Sequence, residues 1–256
     1  MEGAIVRALE AFYTESTGKG YLAHGVEMVL DSGRVTSDTL FFDENSEELF
    51  FVGRVHWVDS TREVFVDRAR ERSDTVFAGG NLRIWMPKQR IQILGDTALY
   101  AVQSAWAKVW GHAFMTLFRE DTIQIVADTF RLEEDLVQAT GPVRITGRNL
   151  LGHAQFAWIQ KNRIHLIEDA SLIWDQGSLT GDTLVLEELS DSSYRVIAKQ
   201  SSQLTAQEDQ NSLTLTAQWI LLEFVNDSLE TVRAQNIQEG RYEERLQSKD
   251  KGPSGS

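Results

Sequence analysis

Ser178–Glu188 reads SLTGDTLVLEE, a strand, an acidic corner and a second strand. The same phrase recurs as RVTSDTLFFD at Arg34–Asp43, EVFVDRAR at Glu63–Arg70, RIQILGDTALY at Arg90–Tyr100 and TIQIVADTFRL at Thr122–Leu132. NLLGHAQFAW at Asn149–Trp158 fills the corner with His153, and SLTLTAQWILL at Ser212–Leu222 fills it with Ala217. The corners fall at Asp38, Asp67, Asp96, Asp128, His153, Asp182 and Ala217, in steps of 29, 29, 32, 25, 29 and 35 residues.

A second series lies between them. HGVEMVLD contains Gly25, VGRVHWVD Gly53, GGNLRIWM Gly80, WGHAFMTLF Gly111 and TGPVRITG Gly141. EDASLIWD around Asp169 is a copy without glycine, and KQSSQLTA around Ser201 a weaker one. Two interleaved series sharing a period near 30 residues, with strands inside each unit, predict a stacked all-β architecture. The expected fold is an antiparallel β-solenoid of about seven repeats, with about fifteen strands between Tyr21 and Gln238. Residues 1–19 read either as a short helix over Ala4–Tyr13 or as an irregular strand over Ala8–Tyr13, and in either form as an N-terminal cap. Residues 20–238 form the repeat domain. Residues 239–256 form a charged tail, with helical periodicity conceivable over Gln238–Ser248 and a linker or cloning remnant at the end.

Corner glycines and aspartates have a structural explanation. A strand that bends needs a small residue or a bulge, and an aspartate there can accept hydrogen bonds from local backbone donors. Between corners the alternation is clear. Val26, Met28 and Leu30 share one face, and the same face recurs as Val55 and Trp57, as Leu82, Ile84 and Met86, as Met115 and Leu117, as Val143 and Ile145, and as Leu172. This period of two marks half-buried strands. The column either fills a core or lines a groove for aliphatic chains, in which each buried methylene contributes about 0.8 kcal/mol. The terminal strands, Tyr21–Leu30 and Leu213–Phe224, read as sheet edges. Tyr21, Val26, Met28, Leu213, Leu215, Ile220 and Leu222 are therefore candidates for edge-to-edge assembly by β-augmentation, unless the terminal segments cap them.

Composition excludes several classes. The net charge is −13, from 25 Lys and Arg against 38 Asp and Glu, which argues against nucleic acid or an anionic membrane surface as partner. There is no cysteine, so disulfides and thiol chemistry are excluded. No apolar run is long enough for a transmembrane helix. The start lacks the basic and apolar regions of a signal peptide, so a targeting or anchoring segment is expected to be missing from this sequence. The five histidines, His24, His56, His112, His153 and His165, show no metal-ligand spacing with one another. No nucleophile elbow, P-loop or dinucleotide fingerprint occurs. An outer-membrane barrel is disfavoured, because the polar face is heavily charged and Trp57, Trp85, Trp106, Trp110 and Trp158 do not form two girdles. No catalytic residue, metal site or cofactor is expected.

The recurring Gly and Asp corners, read in LAHGVEMVLDSGRVTSDTLFFDENSEELFFVGRVHWVD and IHLIEDASLIWDQGSLTGDTLVLEE, resemble the OstA-like family of periplasmic lipopolysaccharide-transport proteins, which covers LptA, LptC and the N-terminal domain of LptD. The resemblance spans roughly residues 20–238. It implies a β-jellyroll, or β-taco, whose apolar interior takes lipopolysaccharide acyl chains. Partners would be lipopolysaccharide or a related lipid, other Lpt-type β-jellyroll proteins joined edge to edge, and further copies of the chain. The location would be the periplasm, on the route to the outer membrane, and the protein would not be an enzyme. Arg54, Arg83 and Arg144 would be the local cations for lipid phosphates. A scaffold with a filled core that works only through its edges is the alternative.

Overall fold

The computed structural model describes residues 4–119, 122–147, 149–190, 192–208 and 211–244. Every helix or strand among them is a strand, and there are nineteen: β1 (Ile5–Arg7), β2 (Glu10–Thr14), β3 (Lys19–Leu30), β4 (Gly33–Asp43), β5 (Glu48–Asp59), β6 (Glu63–Arg72), β7 (Thr75–Met86), β8 (Ile91–Ala101), β9 (Trp106–Trp110), β10 (Phe114–Leu117), β11 (Ile123–Val126), β12 (Thr129–Leu132), β13 (Val137–Thr146), β14 (Leu150–Gln160), β15 (Arg163–Trp174), β16 (Gly177–Ser190), β17 (Ser193–Glu208), β18 (Asn211–Val225) and β19 (Ser228–Glu244). The architecture is all-β and antiparallel, with strands stacked in series. No helix among the described residues is long and apolar enough to cross a membrane.

Two compact units divide the chain. One comprises Met1–Arg148 and Gln155–Ile164, the other Asn149–Ala154 and His165–Ser256. In the first unit the pairing runs β3–β4–β5–β6–β7–β8, each strand against the next. β8 then pairs with both β9 and β10, which are two halves of one interrupted strand. β11 and β12 continue the ladder to β13 in the same split manner. In the second unit β16, β17, β18 and β19 pair in sequence.

From β3 to β8 each strand breaks register once, and the two series of the sequence are the two sides of that break. Between Ala23/Val26 and Thr39/Ser37, β3 carries one residue more than β4. The glycine strands β5 and β7 likewise exceed their aspartate neighbours β4, β6 and β8 by one residue. This is a β-bulge repeated down the stack, and it bends each strand into two limbs. The extra residues sit in the left-handed region: Gly53 and Arg54 at φ 77° and 47°, Gly80 and Asn81 at 85° and 48°, Gly111 and His112 at 74° and 47°. In the second unit Glu168 and Asp169, and Gln200 and Ser201, adopt the same conformation without glycine.

The corner aspartates complete this device by a route different from the expected backbone hydrogen bonds. Asp38 accepts from the Arg54 guanidinium at 2.5 and 3.0 Å, Asp67 from Asn81 Nδ2 at 2.8 Å, and Asp96 Oδ2 lies 2.7 Å from His112 Nδ1. The partner is in each case the residue after the corner glycine. The Arg54 hydrogen bonds hold the Asp38 carboxyl below the usual carboxylate range. Each aspartate also lies where a glycine Cβ would be: at Gly80 it would come within 2.5 Å of Asp67 Oδ2. Gly80→Ala is therefore expected to cost about 2 kcal/mol, from the left-handed backbone and the displaced Asp67–Asn81 contact. Urea unfolding checks this, and the cost should shrink in an Asp67→Ala background.

Both predicted edges are corrected. Tyr21, Val26 and Met28 lie in β3, which is covered on its outer side by β1 and β2: Val6 faces Met28 and Phe12 faces Tyr21. Leu213, Leu215, Ile220 and Leu222 lie in β18, which β19 covers over its whole length. The terminal segments cap them, the alternative offered above: IVR and EAFYT form strands, and residues 239–244 of the expected charged tail continue β19. Residues 245–256 lie outside the described residues. The strands left with an unpaired side, among the described residues, are β1 and β2 in one unit and β19 in the other.

Candidate functional site

The bulges give the first unit two limbs whose inner faces oppose each other. Across the upper limb runs the row Met28, Val35, Trp57, Val64, Ile84, Ile93, Met115, Ile125 and Ile145, each facing the next on the neighbouring strand. Across the lower limb runs Leu40, Phe51, Ala69, Ala78, Ala98, Val109, Phe130 and Ala139. Three adjacent alanines interrupt a row of larger side chains. Opposite them the limbs do not close, and a cavity of about 390 Å³ remains. That is within the roughly 300–1,000 Å³ of small-molecule sites.

Its walls are Val35, Val55, Val64, Val66, Leu82 and Ile84 from the upper limb, and Phe51, Ala69, Val76, Ala78, Ala98 and Ala107 from the lower. Trp57 and Tyr100 reach across, their ring centroids 5.4 Å apart. Arg62 lies over both rings, 5.7 and 5.0 Å from their centroids. Asp59 fixes Arg62. Its Oδ1 accepts from the amides of Thr61 and Arg62 and the Thr61 hydroxyl at 2.6–2.9 Å, and its Oδ2 from Arg62 Nε at 3.2 Å. Burial alone would push the Asp59 carboxyl up. The hydrogen bonds from Thr61 and Arg62 outweigh it and hold the group below the usual range.

Glu71 is the exception in this wall. It occupies the inner row Leu49, Glu71, Val76, Tyr100, Ala107 and lines the cavity. Burial raises its pKa, and no hydrogen-bond or ion-pair partner reaches its side chain among the described residues. Because the folded value is raised, this group favours the fold below its unfolded pKa of about 4.3, and that contribution is lost as pH rises through the folded value. Glu71→Leu is accordingly expected to stabilise the protein by about 1 kcal/mol at pH 7. The gain should narrow at pH 4, when urea unfolding of both proteins is compared. Asp59 and Arg62, the other charged groups lining the cavity, are common to both proteins.

Of the predicted groove residues, Val55, Trp57, Leu82 and Ile84 line the cavity. Val26, Met28, Met115, Leu117, Val143 and Ile145 are buried elsewhere in the first unit, and Leu172 is buried in the second. Leu30 and Met86 are half-buried at strand ends. Arg54 is tied to Asp38, and Arg83 lies over the Phe65 ring at 4.3 Å; the arginine at the cavity is Arg62. The alanine row, Arg62, Glu71 and Tyr100 were not anticipated. The signal for Glu71 was alternation resumed from Ala69 across the corner. Among the described residues no group of three His, Asp or Glu side chains gathers to hold a metal ion.

No protein-family model matches the chain, and no curated protein matches it. Among solved structures it is similar to LptH of Pseudomonas aeruginosa, described as the LptA-homologous periplasmic component of the lipopolysaccharide transport device. The identity is 18%, the TM-score 0.36, and the match covers 39% of this chain and 77% of that one.

Proposed function

We propose that the protein is a non-enzymatic carrier that holds an aliphatic lipid chain between the limbs of its first unit. The observation that supports this is the cavity of about 390 Å³ walled by valine, leucine, isoleucine, alanine and aromatic side chains. Apolar burial would drive uptake without chemistry. The resemblance of the sequence to the OstA-like family supplies the finer reading. The chain would belong to lipopolysaccharide, the compartment would be the periplasm, and transfer would run towards the outer membrane. Other Lpt-type β-jellyroll proteins or a second copy would join by β-augmentation, at β1 and β2 or at β19, whose outer backbone groups have no strand partner among the described residues.

A scaffold reading has its own support in the length of β19, 17 residues, since a long open edge is a template for another chain. One experiment separates the two. The full chain is purified, stripped of lipid, and mixed with lipopolysaccharide, then measured by native mass spectrometry and sedimentation. The carrier reading expects a bound lipid mass at low protein concentration. A clean protein mass with concentration-dependent self-association would overturn it in favour of the scaffold.

A further inference from the structure

Two polar groups in the cavity wall lack partners, and they are complementary. Trp57 Nε1 is buried with no hydrogen-bond partner, so it is a donor without an acceptor. Glu71 is an acceptor without a donor among the described residues. Both line the same cavity, one from each limb. The neighbouring charges are not available in the same sense, because Asp59 and Arg62 bind each other. Left unpaired, the buried indole N–H costs about 1–3 kcal/mol, while the Glu71 carboxylate is half-buried. The row position of Glu71 accepts apolar side chains on either side, Leu49 and Val76, so packing alone does not ask for a carboxylate. A site that breaks its own pattern without a compensating contact within the protein is a candidate for ligand recognition.

Which ligand group matches follows from the donor inventory. A bare methylene chain satisfies neither atom. A carboxylate or phosphate accepts from Trp57 but meets Glu71 as a like charge. An ammonium donates to Glu71 but leaves the indole unpaired. A hydroxyl does both, accepting from Trp57 and donating to Glu71. We infer that the cavity selects an aliphatic chain carrying a hydroxyl, with Glu71 and Trp57 as the specificity-determining residues. This rests on the reading of the cavity as an aliphatic-chain site and adds the chemistry by which it discriminates among such chains.

The test compares laurate with laurates hydroxylated at the second, third or terminal carbon, binding to the lipid-free full chain, by titration calorimetry. At least one hydroxylated isomer is expected to bind about tenfold more tightly than laurate, the worth of one good hydrogen bond to a charged group. The preference should collapse in Glu71→Leu and fall in Trp57→Phe, with circular dichroism and thermal unfolding confirming that both variants are folded. Equal affinities for all chains in the unmodified protein would overturn the inference and leave the carrier reading standing. A preference that survives Glu71→Leu would also overturn it. Failure of every chain to bind would overturn both.

Discussion

Ala78→Leu combined with Ala98→Leu is expected to abolish uptake of an aliphatic chain while leaving the protein folded. The two alanines face each other on β7 and β8 and both line the cavity. Each replacement adds three carbon atoms on the inner face, where the opposing limb is not in contact. In a packed core such enlargement costs about 1–3 kcal/mol. Here the added carbons enter open apolar space, and each methylene buried there contributes about 0.8 kcal/mol in the opposite direction. The melting temperature should therefore hold or rise as the binding site disappears. Laurate titration together with thermal unfolding checks both halves. Retained uptake with an unchanged melting temperature would locate the chain elsewhere, and a lost fold would mean that the alanine row is already tightly packed. Ala139→Leu is the control. It belongs to the same row, is fully buried and does not line the cavity, so it should destabilise without this selective loss.

The corner explains what could be read from the residues and what could not. Recurring glycines and aspartates mark the bends correctly because they answer a local demand, a left-handed backbone beside a carboxylate. The face of each strand on the glycine side of the series was legible for the same reason: from Phe51 to Val55, and from Ala78 to Leu82, the inward parity is preserved through the corner. At the aspartate corners it inverts. Val66 and Ala69 both point inward, as do Ser37 and Leu40, three residues apart. Alternation read straight through such a corner assigns the far limb to the wrong face. This is why Glu71 looks solvent-facing in the sequence although it lines the cavity. The alanine row was hidden for a different reason. Ala69, Ala78 and Ala98 are far apart in sequence and become a row only through strand pairing. The C-terminal strand is hidden because dense charge, as in residues 239–244, reads as a tail. An edge strand with one solvated side tolerates charge well, and β19 does.

Arg195→Met is expected to be the most damaging single replacement of a charged residue in the second unit, lowering stability by about 3–5 kcal/mol. Glu187 on β16 and Arg195 on β17 are directly opposed. The guanidinium donates to Glu187 Oε2 from Nε at 2.7 Å and from Nη2 at 2.6 Å. The Glu187 side chain is only 8% exposed, so the pair is poorly screened by water. Removing the arginine takes this counter-charge away from a buried carboxylate, and that, rather than the attraction lost, sets the size of the effect. Two comparisons make the argument testable by urea unfolding. Arg7→Ala breaks the exposed Arg7–Glu27 pair and should change stability by less than about 1 kcal/mol. The double replacement Glu187→Leu with Arg195→Met removes both charges from the face that carries Val185, Ile197 and Leu221, and should recover most of the loss. If the double variant were as unstable as Arg195→Met alone, the damage would come from lost packing of the arginine stem. The contrast with Glu71 then becomes physical. Glu187 is buried and matched within the protein, so removing its partner should cost stability; Glu71 is half-buried with no partner among the described residues, so its own removal should give stability, which is what a group kept for a ligand would do.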